Sequence, residues 1–124
     1  MPRVLIAEDE EPLRTLVARA IAMDGHETVA ARDGAEALEI LSNEKVFDLL
    51  LTDIQMPVMD GIALALSAAR DFPDLTILLM TGFADQRERA HGLNSIVHDV
   101  LTKPFSVIDI RTAVAAALGA RKTG

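Results

Sequence analysis

Apolar and polar positions along the chain fall into two alternating patterns. Short apolar runs of four to six residues suit strands buried on both faces, and longer stretches with apolar residues three and four apart suit amphipathic helices. Val4 to Ala7 is the first strand, and it stops at four acids and a proline, Glu8 to Pro12. Acids and proline in a first turn favour a helix start. Leu13, Leu16, Val17, Ala20 and Ile21 then follow at helical spacing, and Gly25 is a natural stop. Glu27 to Ala31 is a second strand, and Asp33-Gly34 turns the chain into a second helix with Ala37, Leu38 and Leu41 inward. Phe47 to Thr52 is the third strand, broken off at a carboxylate, Asp53. Gly61 to Phe72 is a third helix, apolar nearly all round and ended by Pro73-Asp74.

Thr76 to Met80 is a fourth strand, closing at Thr81-Gly82. Ala84 to Leu93 is mostly polar with a thin apolar face, the pattern of a marginal helix able to move. Val97 to Thr102 is a fifth strand, followed by Lys103-Pro104-Phe105. Ser106 and Asp109 have the spacing of a capping box, and the last helix places Ile110, Val114, Ala117 and Leu118 toward the core before Gly119. Strand and helix thus alternate five times, which predicts parallel βα units with right-handed crossovers. The expected fold is a flavodoxin-like (βα)5 three-layer sandwich with a five-stranded sheet of order 2-1-3-4-5. One domain is expected over residues 1–120, with a short polar tail at 121–124.

Composition narrows the function. The chain has 124 residues, half of them hydrophobic, and a formal charge of -7. That size supports a core without staples, and that charge disfavours a nucleic-acid partner, which requires a basic footprint. Cysteine is absent, which removes disulfides and thiol chemistry. No apolar run has the length of a signal peptide or a membrane span, so a soluble, cytoplasmic setting is expected.

Candidate chemistry gathers at the carboxyl ends of the strands, where open parallel sheets bind ligands. Glu8 and Asp9 end the first strand, Asp53 the third, Thr81 the fourth and Lys103 the fifth. Taken singly, these have plain readings: a dipole partner, a turn residue, a solvated lysine. Taken together, Glu8, Asp9 and Asp53 crowd one pocket if strands one and three are neighbours. Crowded carboxylates repel, and a magnesium ion relieves that repulsion because it takes oxygen ligands from one or two carboxylates plus phosphate. Asp53 can act as nucleophile toward phosphorus, Lys103 can offer positive charge to a phosphoryl oxygen, and Thr81 can donate a hydrogen bond. Asp60 reads as a helix N-cap without chemistry. His26, His91 and His98 lack metal-ligand spacing and read as surface or edge residues.

The set Glu8-Asp9, Asp53, Met56-Pro57, Asp60-Gly61, Thr81 and Lys103-Pro104 resembles a two-component response-regulator receiver domain over essentially the whole chain. The resemblance implies transfer from a phosphohistidine on a histidine kinase or a histidine phosphotransfer protein to Asp53. It implies magnesium held by Asp9, Asp53 and the backbone carbonyl of Gln55, with Glu8 acting through water. It also implies a cis bond before Pro104, and that Lys103 and Thr81 report the phosphoryl group to the face of the fourth and fifth helices and the fifth strand. Activity is then limited to the chain's own aspartyl phosphorylation and dephosphorylation, and output is a protein contact made by a monomer or weak dimer. The Thr81 to Ala84 run and the length are similar to single-domain alphaproteobacterial regulators linked to the cell cycle and to substrate delivery for the ClpXP protease.

The sequence departs from that pattern in places. Val100 stands where receivers often carry an aromatic residue, and Phe83 is the candidate to supply bulk instead. Gly82 has no side chain to cover the acceptor, which predicts a short-lived phospho-aspartate or easy access for a partner. Leu66 is expected to face outward, joining Met56, Val58 and Met59 in a partner-binding patch. A receiver cut from a larger DNA-binding regulator has a similar sequence. A flavodoxin-like electron carrier fits less well, because four acids occupy the position of its phosphate loop and no Trp or Tyr is present to stack on a flavin. An aspartyl phosphatase calls for a second aspartate two residues after the nucleophile, where Gln55 stands.

Overall fold

The computed structural model describes residues 2–44, 46–82, 92–93 and 95–120. Five parallel strands, β1 Arg3–Ala7, β2 Glu27–Ala31, β3 Leu49–Asp53, β4 Thr76–Thr81 and β5 Asp99–Thr102, form one sheet of order β2-β1-β3-β4-β5. The described helices are α1 Glu11–Ala22, α2 Gly34–Asn43, α3 Gly61–Asp71 and α4 Val107–Gly119. The predicted helix at Ala84 to Leu93 falls outside the described residues except for its last two positions, Gly92 and Leu93, which lie in a turn.

The layers follow from strand geometry. Successive side chains point to opposite faces, so a strand buried on both sides feeds two cores. Leu5, Leu50, Ile77 and Leu79 meet Ala37 and Leu41 of α2 and Leu64, Ala65 and Ala68 of α3. Val4, Ile6, Leu49, Leu51, Leu78 and Met80 meet Val17 and Ile21 of α1 and Ile110, Val114 and Leu118 of α4. Leu16 is at the edge of this arrangement and exposed, because the Val17–Ile21 stripe takes the sheet-facing side of α1.

Local chemistry sets the helix starts. Asp33 accepts the Glu36 N–H at 2.8 Å, and Asp60 accepts the Ala63 N–H at 2.8 Å. Ser106 and Asp109 exchange both bonds of a capping box. Most strand ends fall within one residue of the sequence expectation, but β3 and β5 each start two residues later. β3 begins at Leu49, because Phe47 turns beneath the Arg3 guanidinium (4.7 Å to the ring centroid) and the Asp48 carboxylate accepts the Arg3 N–H at 2.9 Å. β5 begins at Asp99, because the Val97 N–H is taken by the Leu93 carbonyl in a turn.

Two glycines are required by close approach. At Gly61 a Cβ would fall 2.0 Å from the Asp53 carbonyl oxygen, and at Gly34 one would fall 2.5 Å from that of Met59. The chain between β3 and α3 is therefore pressed against both neighbours. At its outermost point Val58 takes a φ of 70°, with the Met59 N–H donating to the Pro57 carbonyl at 2.8 Å in a γ-turn.

Candidate functional site

The sheet register assembles the site. Ala7 pairs with Thr52, so Glu8 leaves β1 alongside Asp53 at the end of β3. Thr81 pairs with Thr102, so Lys103 follows β5 beside Gly82. All four sequence-predicted strand ends open on one crevice at the carboxyl edge of the sheet, where β1 and β3 feed helices on opposite faces.

Asp53 is buried, and its Oδ2 accepts from Lys103 Nζ at 2.9 Å. Lys103 Nζ also lies 3.7 Å from Glu8 Oε1. Glu8 is 0 % exposed; its Oε2 accepts the Glu10 N–H at 3.1 Å, while its buried Oε1 has no hydrogen-bond partner. Asp9, next in the turn, is exposed. One oxygen from each of Glu8, Asp9 and Asp53 lies within 4.8 Å of the others, close enough to share a single cation. Thr81 is fully buried at the end of β4, with its carbonyl accepting the Lys103 N–H at 2.7 Å. Gln55, two residues past Asp53, is exposed. The Lys103–Pro104 peptide bond is cis, as the resemblance implied.

The charges here are strained in a consistent direction. Burial pushes the Glu8 carboxyl up to about 8; the Glu10 N–H works against that rise and the neighbouring Asp53 carboxylate adds to it. Burial disfavours the Lys103 ammonium, but the hydrogen bond and charge of Asp53, with Glu8 and Glu10 behind it, more than compensate and hold Lys103 above its ordinary value. One lysine thus answers two close carboxylates, and a third stands beside them. The orphaned Glu8 oxygen and the three convergent carboxylates fit a hard, oxygen-seeking divalent cation such as magnesium, with Glu8, Asp9 and Asp53 as the acidic donors.

Other expectations lie outside this crevice or need correction. Met56 does not join a surface patch with Leu66: it is buried at 8 % exposure, its sulfur 3.9 Å from the Thr52 hydroxyl. Met59 is half-buried against the core, leaving Val58 at 83 % and Leu66 at 50 % as the exposed apolar positions there. Val100 is half-buried, and Phe83 and His91 are outside the described residues. His98 is exposed and His26 half-buried. A cleft of about 660 Å³, lined in part by Pro2, Asp24, His26, Ile108 and Arg111, opens at the amino ends of the strands, away from Glu8, Asp9 and Asp53. The sequence reading passed over Arg14, whose guanidinium grips the turn carrying Glu8 and Asp9. Its one signal was a basic residue a turn into a helix that follows four acids.

Comparison with known proteins identifies the family. A family model described as the response regulator receiver domain matches residues 4–115. The chain is 41 % identical over 110 residues to the response regulator receiver protein CpdR of Brucella abortus, covering 89 % of this chain and 91 % of that one. Elsewhere the match is part of a longer chain: 13 % of the sensor histidine kinase TmoS of Ectopseudomonas mendocina, and 50 % of the response regulator MprA of Mycobacterium sp. strain KMS. Among solved structures, a CheY-like receiver domain protein from Methanospirillum hungatei superimposes with a TM-score of 0.88 at 26 % identity, covering 96 % of this chain and 94 % of that one. The response regulator TrrA of Thermotoga maritima, solved in complex with Mg(2+)-BeF, gives 0.84 at 26 % identity, covering 94 % and 99 %.

Proposed function

This chain belongs to the response regulator receiver domain family, and from that premise we propose that it is a phosphorylation-switched signalling module whose acceptor is Asp53. The observation that carries this reading is the Lys103–Asp53 contact at 2.9 Å beside two further carboxylates. In the proposed reaction a carboxylate oxygen of Asp53 attacks the phosphorus of a phosphohistidine on a histidine kinase or phosphotransfer protein. A P–O bond forms and the P–N bond breaks, the imidazole leaving as the neutral base once protonated. Phosphoryl transfer relies mainly on positioning and charge stabilisation, and this chain's residues divide that work. Asp53 is aimed out of the sheet edge. Lys103 supplies a positive charge within reach of the developing equatorial charge, and the Thr81 hydroxyl is the hydrogen-bond donor to another phosphoryl oxygen. Magnesium, held by Glu8, Asp9 and Asp53 and by the Gln55 carbonyl that the family resemblance adds, would neutralise phosphoryl and carboxylate oxygens together.

Catalysis extends no further than the chain's own aspartyl phosphorylation and hydrolysis. Output is a protein contact, and substrate delivery to the ClpXP protease is the form implied by the resemblance to single-domain regulators. Among the described residues no helix is long and apolar enough to cross a membrane. A second reading, a receiver module within a larger regulator, is favoured by the partial-length matches to TmoS and MprA.

The test is phosphorylation by a small-molecule donor, acetyl phosphate, and by a cognate kinase, with and without EDTA. A magnesium-dependent, hydroxylamine-labile label in wild type that is lost in Asp53→Ala is expected. Equal labelling of the variant would overturn the assignment.

A further inference from the structure

The turn that carries Glu8 and Asp9 is held from outside by one side chain. Arg14 Nη1 donates to the Glu8 carbonyl oxygen at 2.8 Å and lies 3.4 Å from that of Asp9. Both carbonyls fall after the last residue of β1 and before Glu10, whose carbonyl accepts the Arg14 N–H at 2.9 Å as α1 begins. The guanidinium therefore reaches back from the first turns of α1 to the turn past β1, where the Glu8 N–H makes the last bond to the sheet, to the Ala31 carbonyl at 3.1 Å.

We propose that Arg14 is a positioning residue for the divalent cation, pinning the Glu8 and Asp9 peptide planes so that their carboxylates converge with Asp53. Fixing a carbonyl fixes the backbone torsions on either side of it and hence the direction of each Cα–Cβ bond. The Glu8 side chain is additionally tethered by the Glu10 N–H, so the turn has few ways to reorient while Arg14 holds it. Both carbonyls are reached from one nitrogen, Nη1, and the planar guanidinium fixes the directions of its N–H bonds where a lysine ammonium rotates freely. This proposal rests on the metal-binding reading above and concerns what makes that site precise.

Charge and positioning predict opposite signs here, which makes the inference testable. A positive group beside a cation site repels the cation, so on charge alone removing it tightens binding. If Arg14 acts by holding the turn, removing it weakens binding. Outer partners that orient metal ligands are worth about 10-fold or more in affinity, and roughly 10-fold is expected for Arg14→Met. Arg14→Lys keeps the charge and N–H donors on a single nitrogen but not the planar geometry, and should recover part of the loss.

The experiment is a magnesium titration of the unphosphorylated protein, followed by backbone amide shifts, on wild type, Arg14→Met and Arg14→Lys. Thermal unfolding of each in EDTA accompanies it. A weaker Kd in the Met variant with partial rescue by Lys supports the proposal. Should Arg14→Met prove unfolded in EDTA, the Lys variant decides: weaker binding than wild type supports the two-carbonyl grip, and equal binding overturns it. A folded Met variant that binds magnesium as tightly as wild type, or more tightly, overturns the positioning role. A wild-type protein whose Glu8, Asp9 and Asp53 amides do not respond to magnesium overturns the metal site itself, a separate failure.

Discussion

Gly61→Ala places the sharpest steric demand on this fold. The new Cβ would stand 2.0 Å from the Asp53 carbonyl oxygen, 2.8 Å from its carbon and 2.9 Å from Ile54 Cα. All three are backbone atoms of the strand end that carries the acceptor, so no side-chain rotation relieves the clash. The start of α3 must back away, stretching the Gly61 N–H to Ile54 carbonyl bond, now 2.8 Å. Overpacking costs about 1–3 kcal/mol, and a weakened backbone bond adds about 1 kcal/mol. The better helix propensity of alanine returns up to about 1 kcal/mol. The net loss is about 1–4 kcal/mol, which for a domain of this size lowers Tm by roughly 4–16 °C. Gly82→Ala is the matched control, since its Cβ meets nothing closer than Lys103 Cδ at 3.6 Å. It should stay within about 0.5 kcal/mol of wild type. Calorimetry or circular dichroism melting of the two variants decides the matter. A Gly61→Ala protein as stable as Gly82→Ala would refute the close approach of α3 to Asp53.

Three further predictions follow from particular positions. Val58, β-branched and exposed at a φ of 70°, stores backbone strain that asparagine or glycine tolerates, so Val58→Asn should raise stability by about 1 kcal/mol in urea unfolding; a loss would contradict the γ-turn. Glu8 has its pKa raised from 4.5 to about 8, so the folded state keeps a proton that the unfolded state gives up. Stability in EDTA should therefore fall as pH rises between those values. Magnesium should bind more tightly over the same rise as the proton leaves, and Glu8→Gln should flatten both trends; an unchanged slope in the variant would place the titration elsewhere. A residue larger than glycine at 82 would lie along the Lys103 stem and cover the acceptor, so Gly82→Thr should lengthen the phospho-aspartate lifetime several-fold over wild type by radiolabel decay, roughly the scale of 1 kcal/mol in a barrier. An unchanged lifetime would mean that access over Gly82 does not limit hydrolysis.

Much of this arrangement was legible in the sequence because it depends on local rules. The apolar runs Val4 to Ala7 and Leu49 to Leu51 feed both faces of the sheet, as continuous runs should. Asp60 and the Ser106–Asp109 pair cap helices as the sequence predicts, and the Asp33-Gly34 turn into the second helix has Asp33 as its cap. The strand-end acids and Lys103 converge because the order of parallel strands brings them together. What stayed hidden depends on contacts distant in sequence. Arg3 ties Asp48, Glu27, Glu44 and Phe47 into one knot at the opposite edge of the sheet, and nothing local to Arg3 signals it. Met56 stands in a loop between the exposed Gln55 and Pro57, and only the turn of that loop, invisible in the sequence, brings its sulfur in toward Thr52 and away from Leu66. The positive φ of Val58 runs against the preference of its own side chain, so no propensity argument finds it.

The central claim is that Asp53, Thr81 and Lys103 form one phosphoryl-responsive unit. Beryllofluoride, which mimics a phosphoryl group on a carboxylate, tests it most directly when added with magnesium while backbone amide shifts are followed in wild type and Asp53→Ala. Shifts are expected to begin at Asp53, Thr81 and Lys103, spread into residues 84–93, the fourth helix expected from the sequence, and vanish in the variant. A folded wild-type protein that gives no response, or a variant that responds equally, would contradict it.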